Sequence, residues 1–161
     1  MTAADPNDPL ALLGIDHVEL WVGNAKQAAH WYRTGFGFRP IAYAGPETGL
    51  RDRASWVLGQ GSIRLLLTSS LRPGSPIAEF VAGHGDGVRD VALAVPDATA
   101  AYRAAVERGA RGVAEPAEDK DGHGIVRHAA IATYGDTVHS LVDRSAWRPS
   151  TTWSATSSWA R

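Results

Sequence analysis

Three acid–base side chains stand at matching places in two similar modules of this 161-residue chain. His17 lies in residues 14–22 (GIDHVELWV), and Asp90 takes the same place in residues 87–95 (GVRDVALAV), 73 residues later. His139 lies in the last predicted strand of the second module, 75 residues after Arg64 in the first module. Two imidazoles and one carboxylate suit non-haem Fe(II) with open positions. We therefore predict a candidate metal site of His17, Asp90 and His139, with Arg64 at the fourth symmetric position.

The same residues have a second interpretation that needs no working metal site. In this interpretation Asp90 is the ion-pair partner of Arg64, and the two histidines are hydrogen-bonded residues with a structural role. The group of residues is then the remnant of a metal site. A partly buried carboxylate is stable only when it is paired. In both interpretations we expect Asp90 to lie within reach of Arg64 or His17, with all these side chains on one concave face.

The elements that must position these residues also repeat. Both copies alternate apolar and polar residues with the period of a strand. Each is followed by a capped helix, from Asn24 to Thr34 and from Asp97 to Arg108, and Gly35 and Gly37 are expected to end the first. The further predicted strands are 38–44, 54–58 and 62–68, then 111–114, 125–133 and 137–143, with a charged loop over 115–124. A repeat of this size indicates an α+β fold of two β-α-β-β-β modules, which form a curved mixed sheet with outer helices.

The domain boundaries follow from these modules. Residues 1–13 are predicted to be a flexible arm, and 14–145 a single domain whose modules span 14–68 and 87–143. The joint between them holds a short possible helix over 77–83. Residues 146–161 form an irregular tail rich in Trp, Ser and Thr. The tail is either a disordered end or the point at which a longer protein has been cut, and we favour the second.

Composition excludes several classes of function. The formal net charge of −1 and a pI near 6.6 give no basic footprint for nucleic acid or an anionic membrane. The chain has no cysteine, which excludes disulfides and a thiolate nucleophile. Its apolar runs are too short for a membrane span. We therefore expect a soluble, cytoplasmic protein. Trp21, Trp31 and Trp56 are candidates to line an aromatic pocket.

Longer segments resemble one family. IDHVELWVGNAKQAAHWYRTGFGFRPIAY and YGDTVHSLVDRS are similar to the N-terminal half of 4-hydroxyphenylpyruvate dioxygenase and its relative hydroxymandelate synthase. These belong to the vicinal-oxygen-chelate superfamily, and the resemblance runs from about residue 13 to 145. It implies a glyoxalase-like fold, Fe(II) or another divalent metal, and a small aromatic 2-oxo acid as substrate.

The resemblance also implies an incomplete site, because the family's iron ligands and most substrate contacts belong to its C-terminal domain. Three functions stay open. The chain is a dioxygenase-like domain that is inactive or nearly so alone, a stand-alone metal-dependent enzyme using His17, Asp90 and His139, or a ligand-sequestering protein. The expected partners are further copies of the chain or the missing C-terminal domain.

Overall fold

The computed structural model describes residues 8–147; residues 1–7 and 148–161, with most of the predicted arm and tail, lie outside the described range. The described residues divide into two compact units. One consists of residues 17–89, and the other of residues 8–16 and 90–147.

The unit of residues 17–89 is a four-stranded sheet with two helices. Its strands are ordered β2-β3-β4-β1, with β1 and β4 parallel and the other neighbours antiparallel. Leu20 of β1 and Leu58 of β3 share a core cluster with Ala25 and Ala29, which place α1 on that face of the sheet. The elements in chain order are β1 (Gly14–Trp21, of which residues 14–16 belong to the other unit), α1 (Ala25–Phe36), β2 (Arg39–Ala44), a short 3-10 helix (Pro46–Thr48), β3 (Arg53–Gln60), β4 (Ile63–Ser70) and α2 (Pro76–His84).

The helix α1 begins and ends at residues that the sequence marks. The Asn24 side chain accepts a hydrogen bond from the Gln27 backbone N–H at 3.0 Å, as an N-cap does. Gly37 ends the helix with a φ of 76°, a left-handed conformation that glycine adopts without strain. Gly35, expected to help end the helix, lies inside it.

The second unit repeats this arrangement. Its strands are ordered β5-β8-β7-β6, with β5 and β8 parallel. Tyr102 of α3 and Leu141 of β8 belong to its buried core, and Leu10 packs against that core from the N-terminal segment. The elements are β5 (Gly87–Ala94, which begins in the other unit), α3 (Ala98–Glu107), β6 (Gly112–Asp121), β7 (Gly124–Ala132) and β8 (Val138–Asp143).

One prediction about this unit is wrong. Most of the segment 115–124, expected to be a charged loop, belongs to β6, which pairs with β7 through Asp121. Most of its side chains are exposed, and β6 stands at the end of the strand order. An edge strand that lies in water tolerates charges, and charges protect it from pairing with other chains. Charge therefore marked an edge strand here and not a loop.

The predicted architecture is otherwise confirmed. Each unit supplies strand, helix and three further strands in the expected order, which is the glyoxalase-like, vicinal-oxygen-chelate fold. Between residues 8 and 147, no helix is both long enough and apolar enough to cross a membrane.

Candidate functional site

Asp90 is buried in β5 and forms hydrogen bonds within the second unit. Its Oδ1 accepts a hydrogen bond from the Ser140 backbone N–H at 2.9 Å, and its Oδ2 accepts one from the Ser140 hydroxyl. This buried carboxylate is therefore hydrogen-bonded by a neighbour in β8 that the sequence analysis did not name. Whether Arg64 or His17 also reaches Asp90 stays a prediction.

The side chain of His139, next to Ser140 in β8, lies on the face of the sheet opposite to that of Asp90. Asp90 lies opposite Val138 and Leu93 opposite Leu141 in the parallel pairing of β5 with β8. Because side chains alternate along a strand, His139 shares the face of Leu141, whose side chain packs in the core beneath α3. Its ring Nδ1 donates to the Val91 carbonyl at 2.9 Å. The expected common face for Asp90 and His139 is therefore corrected: the structure does not bring these two side chains together.

The prediction went wrong because it aligned the last strands of the two modules one residue out of register. In the first unit Leu20 lies opposite Leu67, and in the second Leu93 lies opposite Leu141. Leu20 and Leu93 are 73 residues apart, whereas Leu67 and Leu141 are 74 apart, not the 75 that joined Arg64 to His139. A one-residue shift in register moves every side chain of a strand to the opposite face. The residue equivalent to Arg64 is therefore Val138.

His17 and Arg64 do share a face in the unit of residues 17–89. Val18 lies opposite Leu65 in the parallel pairing of β1 with β4, so the preceding residues His17 and Arg64 are neighbours on the face away from α1. Both are partly buried and both have interaction partners.

The same face carries a polar chain that the sequence analysis missed. The Thr68 hydroxyl donates to Glu19 Oε1 at 2.7 Å, and the Ser55 hydroxyl lies 3.1 Å from Thr68 Oγ1. Ser55 and Thr68 are buried. The period-two pattern places Glu19 on this face, but the pairing of β1, β3 and β4 is needed to find its partners.

These positions decide how well the residues suit the metal that the resemblance implies. A facial Fe(II) site needs its two imidazoles and its carboxylate to converge on one ion. Within residues 8–147, no group of three or more His, Cys, Asp or Glu side chains is arranged to hold a metal. Asp90 is engaged by Ser140, and His139 faces away from it. The predicted donor set therefore does not fit a facial iron site, although metal binding by these residues stays a prediction.

A different feature of the unit of residues 17–89 has the form of a binding site. A cleft of about 660 Å³ opens on the α1 side of the sheet. The rings of Tyr43 and Trp56 line it, with centroids 4.8 Å apart and planes inclined by 50°. The lining also includes Lys26 of α1, Glu47 of the 3-10 helix and Leu71 after β4. The prediction that Trp56 lines an aromatic pocket agrees with this cleft.

The other two tryptophans have different surroundings. Trp21 packs edge-on against Phe80 at 5.4 Å and lies beneath the Arg89 guanidinium at 4.8 Å. Trp31 is 58% exposed on α1 and contacts Phe36 at 4.9 Å. Neither belongs to the lining of the cleft beside Trp56.

The Tyr43 phenol and the Glu47 carboxylate at the cleft influence each other's ionisation. The Tyr43 hydroxyl donates to Glu47 Oε2 at 2.6 Å. Burial, reinforced by this bond and by the carboxylate charge, raises the pKa of Tyr43 to about 12. The bond from Tyr43 lowers the pKa of Glu47, and Glu47's own backbone and the charge of Lys26 lower it further. At neutral pH the cleft therefore presents a neutral phenol and an ionised carboxylate beside Lys26.

The chain belongs to the Glyoxalase/Bleomycin resistance protein/Dioxygenase superfamily, whose model matches residues 14–143. Among curated relatives it is 48% identical over 138 residues to 4-hydroxyphenylpyruvate dioxygenase of Yarrowia lipolytica, covering 83% of this chain and 35% of that enzyme. It is 47% identical over 137 residues to 4-hydroxyphenylpyruvate dioxygenase of Dictyostelium discoideum, covering 84% and 37%. The chain thus spans little more than a third of these relatives, in their N-terminal half.

Solved structures with a similar fold are also found. A mutant of 4-hydroxymandelate synthase from Streptomyces coelicolor superposes with a TM-score of 0.77 at 33% identity, over 82% of this chain and 38% of that one. Methylmalonyl-CoA epimerase from Mycobacterium tuberculosis superposes with a TM-score of 0.68 at 24% identity, over 89% and 92%. At that identity the second likeness shows the fold alone.

Proposed function

We propose that this chain is the domain of a 4-hydroxyphenylpyruvate dioxygenase-like protein that does not hold the iron, and that it has little or no dioxygenase activity alone. In this proposal a further domain or chain supplies the iron site, and the assembled protein acts on 4-hydroxyphenylpyruvate or a similar aromatic 2-oxo acid. This domain serves as the scaffold on which the iron-bearing part folds and docks.

The orientation of Asp90 and His139 is the observation that carries the proposal. Asp90 is bonded to Ser140 on one face of the second unit's sheet, and His139 lies on the face that packs against α3. A chain that performed the oxidation alone would need donors that converge on one ion. The 48% identity to a 4-hydroxyphenylpyruvate dioxygenase of nearly three times the matched length supports a role as one part of such an enzyme.

A domain exchange tests the proposal. Residues 14–143 of this chain would replace the matching segment of the Yarrowia lipolytica enzyme, and iron content and 4-hydroxyphenylpyruvate turnover would be measured. We expect the hybrid to retain iron and to turn over, with iron per chain unchanged by His17→Ala or Asp90→Asn. The unexchanged enzyme is the control.

The chain alone provides the second arm of the test. After incubation with Fe(II) and ascorbate we expect no stoichiometric metal and no oxygen uptake with 4-hydroxyphenylpyruvate. One bound metal per chain that is lost in Asp90→Asn would overturn the proposal in favour of the stand-alone metal-dependent enzyme. A tightly bound organic molecule without metal would instead favour a ligand-sequestering protein.

We also infer that the chain associates with copies of itself when no iron-bearing partner is present. Trp31 and Phe36 of α1 are 58% and 53% exposed and touch each other, and the neighbouring ring of Tyr32 lies 5.1 Å from Trp31. Exposed apolar patches of this kind often form interfaces.

A cytoplasmic location stays a prediction.

A further inference from the structure

We propose that the cleft beside Tyr43 and Trp56 binds a free α-amino acid with an aromatic or other apolar side chain. This inference does not depend on the dioxygenase proposal. The cleft lies on the α1 side of the sheet, whereas His17, Arg64 and Glu19 lie on the opposite face. An occupant of the cleft would therefore not touch His17 or Arg64.

The lining favours a ring or a branched apolar group. Tyr43 and Trp56 present two faces inclined by 50°, and Ala54 and Leu71 extend the apolar surface. Aromatic faces bind a further ring by edge-on or offset contact. The cavity of about 660 Å³ lies within the range of small-molecule sites.

One side of the cleft is suited to an anion. Lys26 stands in the first turn of α1, and its neighbours there, Ala25 and Gln27, are uncharged. The N-terminus of a helix carries a partial positive charge that favours a nearby carboxylate, and here the N-cap Asn24 already binds the Gln27 N–H. A ligand carboxylate at Lys26 would thus meet an ammonium and a helix end together.

The other side is suited to a cation. Glu47 accepts one hydrogen bond from Tyr43 through Oε2. An ionised carboxylate has about four lone-pair sites, so it can accept a ligand ammonium as well. The faces of Tyr43 and Trp56 also attract a cation.

The two charges together select the ligand class. Lys26 and Glu47 both line the cleft, and the charge of Lys26 helps to lower the pKa of Glu47. A ligand with a carboxylate alone meets the repulsion of Glu47, and one with an ammonium alone meets that of Lys26. An α-amino acid carries both charges on one carbon and places an apolar side chain beside them.

Calorimetric titration of the full chain tests this ligand class. L-phenylalanine is compared with 3-phenylpropionate, which lacks the ammonium, and with phenethylamine, which lacks the carboxylate. We expect saturable binding of phenylalanine, and at least about tenfold weaker binding of both analogues, since each loses a charge-assisted contact. Equal or tighter binding of either analogue would overturn the assignment to a zwitterion.

Substitutions place the binding in the cleft. We expect Lys26→Gln and Glu47→Gln each to weaken phenylalanine binding by about threefold or more, the effect expected of an exposed charge. The matched controls are Lys120→Gln on β6 and Glu79→Gln on α2, both exposed and both outside the cleft lining. A cooperative thermal unfolding transition in each variant would show that it is folded. Absence of saturable binding to about 10 mM, or binding that is indifferent to both cleft substitutions, would overturn the proposal.

Discussion

Tyr43 and Glu47 form a local pair whose protonation states depend on each other. The phenol stays protonated because burial and the neighbouring carboxylate both oppose its ionisation. The carboxylate stays ionised because the phenol donates to it. The pair also fixes the 3-10 helix against β2, since the two side chains come from adjoining elements.

This coupling predicts a pH window for its contribution to stability. The pKa of Glu47 is lowered from 4.5 on folding, so the contribution is present above pH 4.5 and is lost as pH falls through the lower folded value. The pKa of Tyr43 is raised from 10.0 to about 12, so the contribution is present below pH 10.0 and is lost as pH rises towards 12. Urea unfolding of Tyr43→Phe against the wild type should show a difference inside this window that shrinks at both ends. Tyr134→Phe, at an exposed turn, is the control, and a difference independent of pH would contradict the coupling.

Ser140 satisfies the buried carboxylate of Asp90 with both its backbone and its side chain. Ser140→Ala keeps the backbone bond but leaves Oδ2 without the hydroxyl. Losing a hydrogen bond to a buried charged group costs about 1–3 kcal/mol. We expect that loss in the free energy of unfolding, measured in urea, and a much smaller change for Ser145→Ala at an exposed position. A loss below about 0.5 kcal/mol for Ser140→Ala would mean that other groups stabilise Asp90.

Between elements, a buried ion pair joins the start of β1 to the segment after β8 in the second unit. Arg144 donates to Asp16 through Nε at 2.8 Å and through Nη2 at 2.9 Å. The Asp16 side chain is 5% exposed and that of Arg144 16%. A bidentate pair of this kind fixes orientation as well as distance.

Breaking that pair should destabilise the protein strongly. Arg144→Met leaves a buried carboxylate without its guanidinium, and we expect a loss of about 3–5 kcal/mol in the free energy of unfolding. Adding Asp16→Asn removes the buried carboxylate charge and should restore part of that loss. Arg103→Met, on the exposed side of α3, is the control. If Arg144→Met and its control unfolded at the same urea concentration, the pair would have no net stabilising role.

At the scale of the whole molecule, the exposed aromatic patch of α1 bears on association. Replacing Trp31 and Phe36 together by serine removes the two rings that are in contact and exposed. Aromatic anchors dominate interface energies, so we expect the dissociation constant of any self-association to rise at least about tenfold. Light scattering over a concentration series measures it.

The matched control for that experiment is Tyr134→Ser. Tyr134 is 89% exposed in the turn between β7 and β8, outside the α1 patch. It should leave association unchanged. A strictly monomeric wild-type protein at the highest concentration would contradict the inferred self-association.

The sequence by itself determined the elements and their order. The alternation of residues 14–22 and 87–95, and the caps Asn24 and Asp97, act over a few neighbouring residues. Such local signals placed β1, α1, β5 and α3 to within a residue or two of their bounds. The segments quoted from the two modules also sufficed to indicate the superfamily whose model matches residues 14–143.

Only the tertiary structure decided which side chains meet. Pairing between β5 and β8 joins residues nearly fifty positions apart, and no local pattern fixes the register of such a pair. An error of one residue therefore placed His139 opposite Asp90, where Val138 stands. The cleft of Lys26, Tyr43, Glu47 and Trp56 was likewise hidden, because it draws on α1, β2, the 3-10 helix and β3, and its shape exists only after they pack.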